Sequence, residues 1–351
     1  MKKLTSIILA VAVLVSVSVV TAGADTSQNT IFAQISAPSG ILQTATTTFL
    51  VTDVHNKVVW SVATGKAPVL FSGKISAAGA SGEPLGGYKD GKKADALFAE
   101  PWAIAPWRDG YLVSDSANNS LRYIAKNGEV QTAVNKDLSN PTGLASDGKG
   151  GVYIADTNND RILHIDADAK VTKVVGKGAA VAAAFNGPTG LAYKDGVLYI
   201  ADTGNHRIRK FADDKITTIA GVTYNEEEVV GFLDGTVAKA RFSNPTGVAV
   251  DTNGVIYISD TGNGAVRKLT SGSVTTVTES AADSVYPVSP RGIITSRSGD
   301  VLVCDTFSGV VFTPTVATAW SLNSLVRLYT APLSAIKTML RVFRATHLLT
   351  F

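Results

Sequence analysis

One unit recurs six times along this chain, and that periodicity constrains the fold more than any other feature. The unit runs Pro-x-Gly, an apolar stretch, Asp, a polar turn and a second apolar stretch. Its prolines are Pro38, Pro101, Pro141, Pro188, Pro245 and Pro290, and its aspartates are Asp53, Asp115, Asp156, Asp202, Asp260 and Asp305. The Pro-to-Asp distances are 15, 14, 15, 14, 15 and 15 residues. Unrelated loops do not keep such spacing, so one supersecondary unit is used six times.

Each unit reads as strands. In the fifth, residues 247–250 form a short apolar strand, 251–254 a turn, 255–259 a second strand and 260–263 a second turn. Third and fourth strands follow at 265–269 and 274–277. β-Branched and aromatic residues fill the strands, while Gly, Asn and Asp fill the turns. Four short antiparallel strands repeated six times predict an all-β, six-bladed β-propeller of four-stranded blades. A linear stack would show a tighter period and capping repeats.

The third and fourth units carry a resemblance. Asn140-Pro-Thr-Gly-Leu-Ala with Gly151-Val-Tyr-Ile-Ala-Asp-Thr-Asn-Asn-Asp-Arg-Ile resembles the NHL repeat. So does Gly187-Pro-Thr-Gly-Leu-Ala with Val197-Leu-Tyr-Ile-Ala-Asp-Thr-Gly-Asn-His-Arg-Ile. The resemblance covers residues 38 to about 320 and is specific in units three to five. Unit two departs from it with Trp102-Ala103 in place of Thr-Gly, and unit six with Phe307-Ser308-Gly309 in place of the Asn-x-Arg turn. NHL domains are six-bladed propellers that act as interaction platforms, so the resemblance implies a non-catalytic scaffold that recognises a protein or ligand through its loop faces and channel mouth.

The chain ends suggest export. Lys2 and Lys3 precede an uncharged apolar stretch, Leu4 to Val20, and the small residues Ala22-Gly23-Ala24. This is the layout of a signal peptide over residues 1–24, with an uncleaved membrane anchor as the alternative. The propeller is then expected over 25–322 and a tail over 323–351. In the tail Leu333, Ile336, Leu340 and Phe343 recur at helical spacing among Lys337, Arg341 and Arg344. That predicts either a basic amphipathic helix for a membrane surface or partner, or a disordered tail. The 25–320 body is slightly acidic, which excludes a nucleic-acid footprint. A secreted or extracytoplasmic monomer that binds a protein or small ligand is expected. The single cysteine, Cys304, lies in an apolar run and reads as a buried small hydrophobe.

Two linkers match each other at the same offsets. Gly87-Tyr88-Lys89-Asp90-Gly91 leads through Ala94 and Ala96 to Phe98, and Gly231-Phe232-Leu233-Asp234-Gly235 leads through Ala238 and Ala240 to Phe242. A shortened version ends at Phe185. These insertions enter the second and fifth units, opposite one another in a ring of six. Phe98, Phe185 and Phe242 are expected to plug the gaps between blades.

In a propeller the first strand of each blade lines the channel, so the residue after each repeat proline rings its mouth. That ring reads Ser39, Trp102, Thr142, Thr189, Thr246 and Arg291, a neutral-to-cationic funnel for a sugar, carboxylate or peptide. The hydroxyls have a second role open to them, in tying down strand entry, so Trp102 and Arg291 are the better ligand contacts. The six aspartates read as turn residues, whose carboxylates accept local N–H groups, rather than as calcium ligands. Arg161, Arg207, Arg209 and Arg267 are expected on a solvated outer rim.

Enzymatic readings have less support. The peptidyl-hydroxyglycine amidating lyase, a six-bladed relative, holds zinc through histidines, at least one of which follows such a proline. Of His55, His164, His206 and His347 none does. Gluconolactonase-like propellers imply a Glu, Asn and Asp set, for which Glu100, Asn140 and Asn244 are thin candidates. No cofactor is expected; zinc or calcium belongs to the alternative, a channel-centred hydrolase or lyase.

Overall fold

The computed structural model describes residues 35–64, 66–75, 84–176, 184–222, 230–278 and 287–314. Residues 1–24, expected to form a signal peptide, the 323–351 stretch, His347 and the three consecutive glutamates at 226–228 lie outside them. The stretches 30–35 and 317–322, either of which could supply the outer strand that closes the ring, lie outside them as well, apart from Ile35. No helix among the described residues is long and apolar enough to cross a membrane.

Six antiparallel sheets follow one another among the described residues, one per repeat. Their innermost strands are Pro38–Ala45, Pro101–Trp107, Pro141–Ser146, Pro188–Lys194, Pro245–Val250 and Pro290–Thr295. Each pairs with a second strand ending on the repeat aspartate, as Pro245–Val250 does with Ile256–Asp260. Blades one to four have four strands in sequence order. Blade five adds the two-residue strand Gly235–Thr236 outside Ser273–Thr276, and blade six has three described strands, ending at Val310–Phe312. Neighbouring inner strands touch from blade one through blade six, and blade six touches blade one. The ring of six closes.

The core is divided among the joints. Six apolar clusters each straddle two adjacent blades, because a twisted sheet with two apolar faces must bury both against neighbours. Ile35 and Cys304 lie in the cluster joining blades six and one. Cys304 is fully buried, and desolvation pushes its thiol pKa far up, as expected of a small core hydrophobe. Phe98, Phe185 and Phe242 plug the joints between blades one and two, three and four, and four and five, as the spacing predicts.

The glycine of Pro-x-Gly has a steric cause. A Cβ on Gly190 would stand 2.5 Å from the Thr246 carbonyl oxygen of the next blade, and one on Gly40 would stand 2.6 Å from that of Trp102. Gly143, Gly247 and Gly292 abut the next blade in the same way. Inner strands can approach this closely only where no side chain intervenes.

Candidate functional site

The six inner strands enclose a channel of about 280 Å³. Ser39, Trp102, Thr189, Thr246 and Arg291, each next after a repeat proline, line it together with Leu42, Ala192, Tyr193, Val250, Ile294 and Thr295, which are partly exposed. Arg291 is the only charged side chain in this lining.

The hydroxyls around the mouth are engaged within the ring. Thr142, Thr189 and Thr246 lie 2.6, 2.6 and 2.5 Å from the hydroxyls of Thr157, Thr203 and Thr261. Those three in turn donate to the proline carbonyls of the next blade, Pro188, Pro245 and Pro290. Ser116 donates likewise to Pro141, and Thr306 to Pro38 across the closure. Only blade one lacks a hydroxyl after its aspartate, having Val54, and there Ser39 itself donates to the Pro101 and Trp102 carbonyls. The mouth threonines therefore tie blades together. Ser39 and Thr142 are almost fully buried, and Thr142 is not among the lining residues. The Ser or Thr after each aspartate is a signal the sequence displays five times, and its role was not read there.

Trp102 and Arg291 do meet. The guanidinium lies over the indole ring at 4.6 Å. They belong to blades two and six, and the small Ser39 of blade one between them leaves room for the contact. Among the described residues the Arg291 guanidinium makes no hydrogen bond and no ion pair. Burial pulls its pKa down, while the charges of Glu100 and Asp305 oppose that. Glu100 is half-buried beside it. Desolvation pushes its carboxyl up, against the charges of Arg291 and Lys57. Lys57 donates to the Ala99 carbonyl.

The expected basic rim is corrected. Arg267, Arg209 and Arg207 are 0%, 1% and 2% exposed. For Arg267 and Arg209 the reason is the repeat aspartates, all six of which are fully buried and need partners. Asp260 accepts from the Ser243 amide, from the Asn263 side chain and from Arg267, whose Nη1 lies 2.6 Å away. Asp115 pairs with Arg122 and Asp202 with Arg209. Arg161, partly exposed, reaches Asp156 through Nε. In blade one the Trp60 indole N–H takes the arginine's place on Asp53. Asp115, Asp156, Asp202 and Asp260 take no backbone N–H of the turn that follows them. They accept the amide ahead of the blade's own proline instead, at Ala99, Ser139, Asn186 and Ser243. The carboxylates thus clamp strand entry and anchor arginines, and among the described residues only Asp53 and Asp305 accept local amides as the sequence reading has it.

The matching insertions wrap two of these arginines. Arg122 lies between Tyr88 at 4.7 Å and Phe98 at 5.3 Å and reaches Asp90 as well as Asp115. Arg267 lies between Phe232 at 4.7 Å and Phe242 at 5.3 Å and reaches Asp234 as well as Asp260. Burial raises the Asp90 and Asp234 carboxyls, but the amides of Thr132 and Thr276 and the arginines hold both below the usual carboxylate range.

The histidines stay apart. His164 bonds Asp147 and Thr172, and His206 Nδ1 accepts the Asn244 amide at 3.0 Å. Among the described residues no three His, Cys, Asp or Glu side chains are grouped so as to hold a metal ion. Asn140 and Asn244 act through their amides, which bond Asn119 and His206.

The family model described as NHL repeat matches residues 138–165, 185–211 and 242–269. The chain is a six-bladed β-propeller that carries NHL repeats. It is similar to human NHL repeat-containing protein 2, 28% identical over 156 residues, covering 38% of this chain and 21% of the relative. It spans about a fifth or less of the curated relatives it matches. Among solved structures it is similar to an auxiliary nutrient binding protein from Bacteroides thetaiotaomicron (TM-score 0.58, 12% identity, 78% of this chain and 67% of that one). It is also similar to virginiamycin B lyase from Staphylococcus aureus (TM-score 0.52, 14% identity, 82% and 86%). At these identities the likeness shows the fold alone.

Proposed function

We propose that the chain is an exported scaffold that recognises a small ligand or protein segment at its channel mouth and releases it chemically unchanged. The observation that carries this reading is Arg291: the only charged side chain lining the channel, stacked on Trp102 and without an ion partner among the described residues. A mouth whose hydroxyls are engaged in blade-to-blade bonds offers one set of open donors, which suits orientation of a ligand rather than multi-group catalysis. Export rests on the Lys2-Lys3, apolar and Ala-Gly-Ala layout of residues 1–24. The test is a thermal-shift screen of the purified chain against sugars, organic acids and short peptides, with mass analysis of every compound that raises the melting temperature. The reading expects such compounds to be recovered intact. Conversion of one of them would replace recognition with the hydrolase or lyase alternative, and Glu100 would be the first residue to vary.

A further inference from the structure

Within that recognition reading, on which this inference rests, we propose that the channel mouth is a receptor for aliphatic monocarboxylates. The carboxylate pairs with Arg291 and the hydrocarbon chain lies along the channel wall.

Three observations converge on this class. The guanidinium lies over the Trp102 ring at 4.6 Å, and among the described residues its N–H groups meet no acceptor. A planar fork of donors matches the two oxygens of a carboxylate, and the stack holds that fork in place before the ligand arrives. The local charge then limits the ligand to one negative charge. Arg291 is the only cation in the lining, Glu100 and Asp305 already act on it, and Lys57 is engaged at the Ala99 carbonyl. A phosphate dianion would face two carboxylates with one guanidinium to hold it. The wall decides the remainder of the molecule. Leu42, Ala103, Pro106, Ala192, Val250 and Ile294 are its aliphatic side chains left partly exposed, and the hydroxyls of Thr189 and Thr246 at the mouth are engaged. Methylenes laid against these side chains would leave water for aliphatic surface. At about 280 Å³ the cavity is at the small end of ligand sites, which begin near ~300 Å³.

Isothermal titration of the purified full-length chain with sodium acetate, butyrate, hexanoate and octanoate tests this, with hexan-1-ol and inorganic phosphate for comparison. Affinity is expected to rise about three- to fourfold per methylene until the channel is filled, and phosphate is expected to bind more weakly than hexanoate. Arg291→Gln, checked by its melting curve, is expected to weaken hexanoate by about tenfold or more while leaving hexan-1-ol unchanged. Arg291→Lys, which keeps the charge and loses the fork, is expected to fall between. The proposal is overturned if folded Arg291→Gln binds hexanoate like the wild type, if phosphate matches hexanoate, or if no carboxylate binds the wild type. The chain-length series and the phosphate arm need no variant. A neutral sugar bound at the mouth and recovered intact would sink the carboxylate proposal and leave recognition standing.

Discussion

Six aspartate carboxylates fully withdrawn from water would destabilise this protein severely unless each were matched by donors. In three blades the arginine that supplies the match lies seven residues on, as in Asp115 and Arg122, Asp202 and Arg209, Asp260 and Arg267, and in blade three Arg161 reaches Asp156 from five residues on. Strand register explains the interval: Asp260 stands opposite Ala265, so Arg267 points to the same face of the sheet two residues further along. The Asp-x6-Arg pattern is visible in the sequence, but arginines in polar turn regions read as solvated until the hairpin register is known. Removing one partner of a buried pair leaves the other uncompensated. Arg267→Met is expected to cost about 3–5 kcal/mol in urea unfolding, whereas Asp234→Asn, at the half-exposed end of the same arginine, should cost about 1 kcal/mol or less. A cost below about 1 kcal/mol for Arg267→Met would contradict the anchoring role.

His206 belongs to a second residue-scale pattern. Asn119, Asp160 and His206 each close a short 3-10 turn in the left-handed region and accept the amide just before the next blade's proline. Burial holds the His206 imidazole below the ordinary histidine value, with the charge of Asp202 partly opposing it. The unfolded chain therefore takes up the proton first as pH falls. The stability His206 contributes is complete above about pH 6.5 and is lost as pH drops through the lower folded value. Asn tolerates the same backbone and keeps an acceptor, as Asn119 does. The melting temperature of His206→Asn should accordingly fall less than that of the wild type between about pH 7 and 5. Parallel curves would remove His206 from the pH dependence.

At the scale of the element, strand placement was largely readable. The fifth unit was expected at 247–250, 255–259, 265–269 and 274–277, and its strands are Pro245–Val250, Ile256–Asp260, Ala265–Thr270 and Ser273–Thr276. Alternating β-branched residues between Gly and Asn turns carry that signal. The pair Gly235–Thr236 was not readable, because two residues show no periodicity. The glycine collar is an element-scale constraint whose cause lies in the neighbouring blade. Gly190→Ala is expected to destabilise by about 1–3 kcal/mol by chemical denaturation, since a methyl would overlap the Thr246 carbonyl. At Ala103, where blade two already carries a methyl, replacement by Gly should cost about 1 kcal/mol or less. Equal costs at the two sites would argue against close approach as the reason for the repeat glycine.

The whole molecule is a ring of like units in which the exceptions gather at one place. Units three to five keep the repeat, and their mouth threonines are taken up in joining blades. Trp102 and Arg291 depart from it, and their contact brings together residues 189 positions apart in the chain. The sequence marked both as exceptional, but it could not pair them: the contact depends on ring closure and on a small residue at Ser39 between them. The two matching insertions were legible as a pair on opposite blades, and their phenylalanines as plugs. Their hold on Arg122 and Arg267 required coordinates. The most direct test of recognition at this mouth is a crystal structure of the complex with whichever screened compound most raises the melting temperature. The account predicts that compound intact, against Arg291 and Trp102 at the channel mouth. Its placement on an outer blade face, or density for a cleaved or eliminated product, would contradict it.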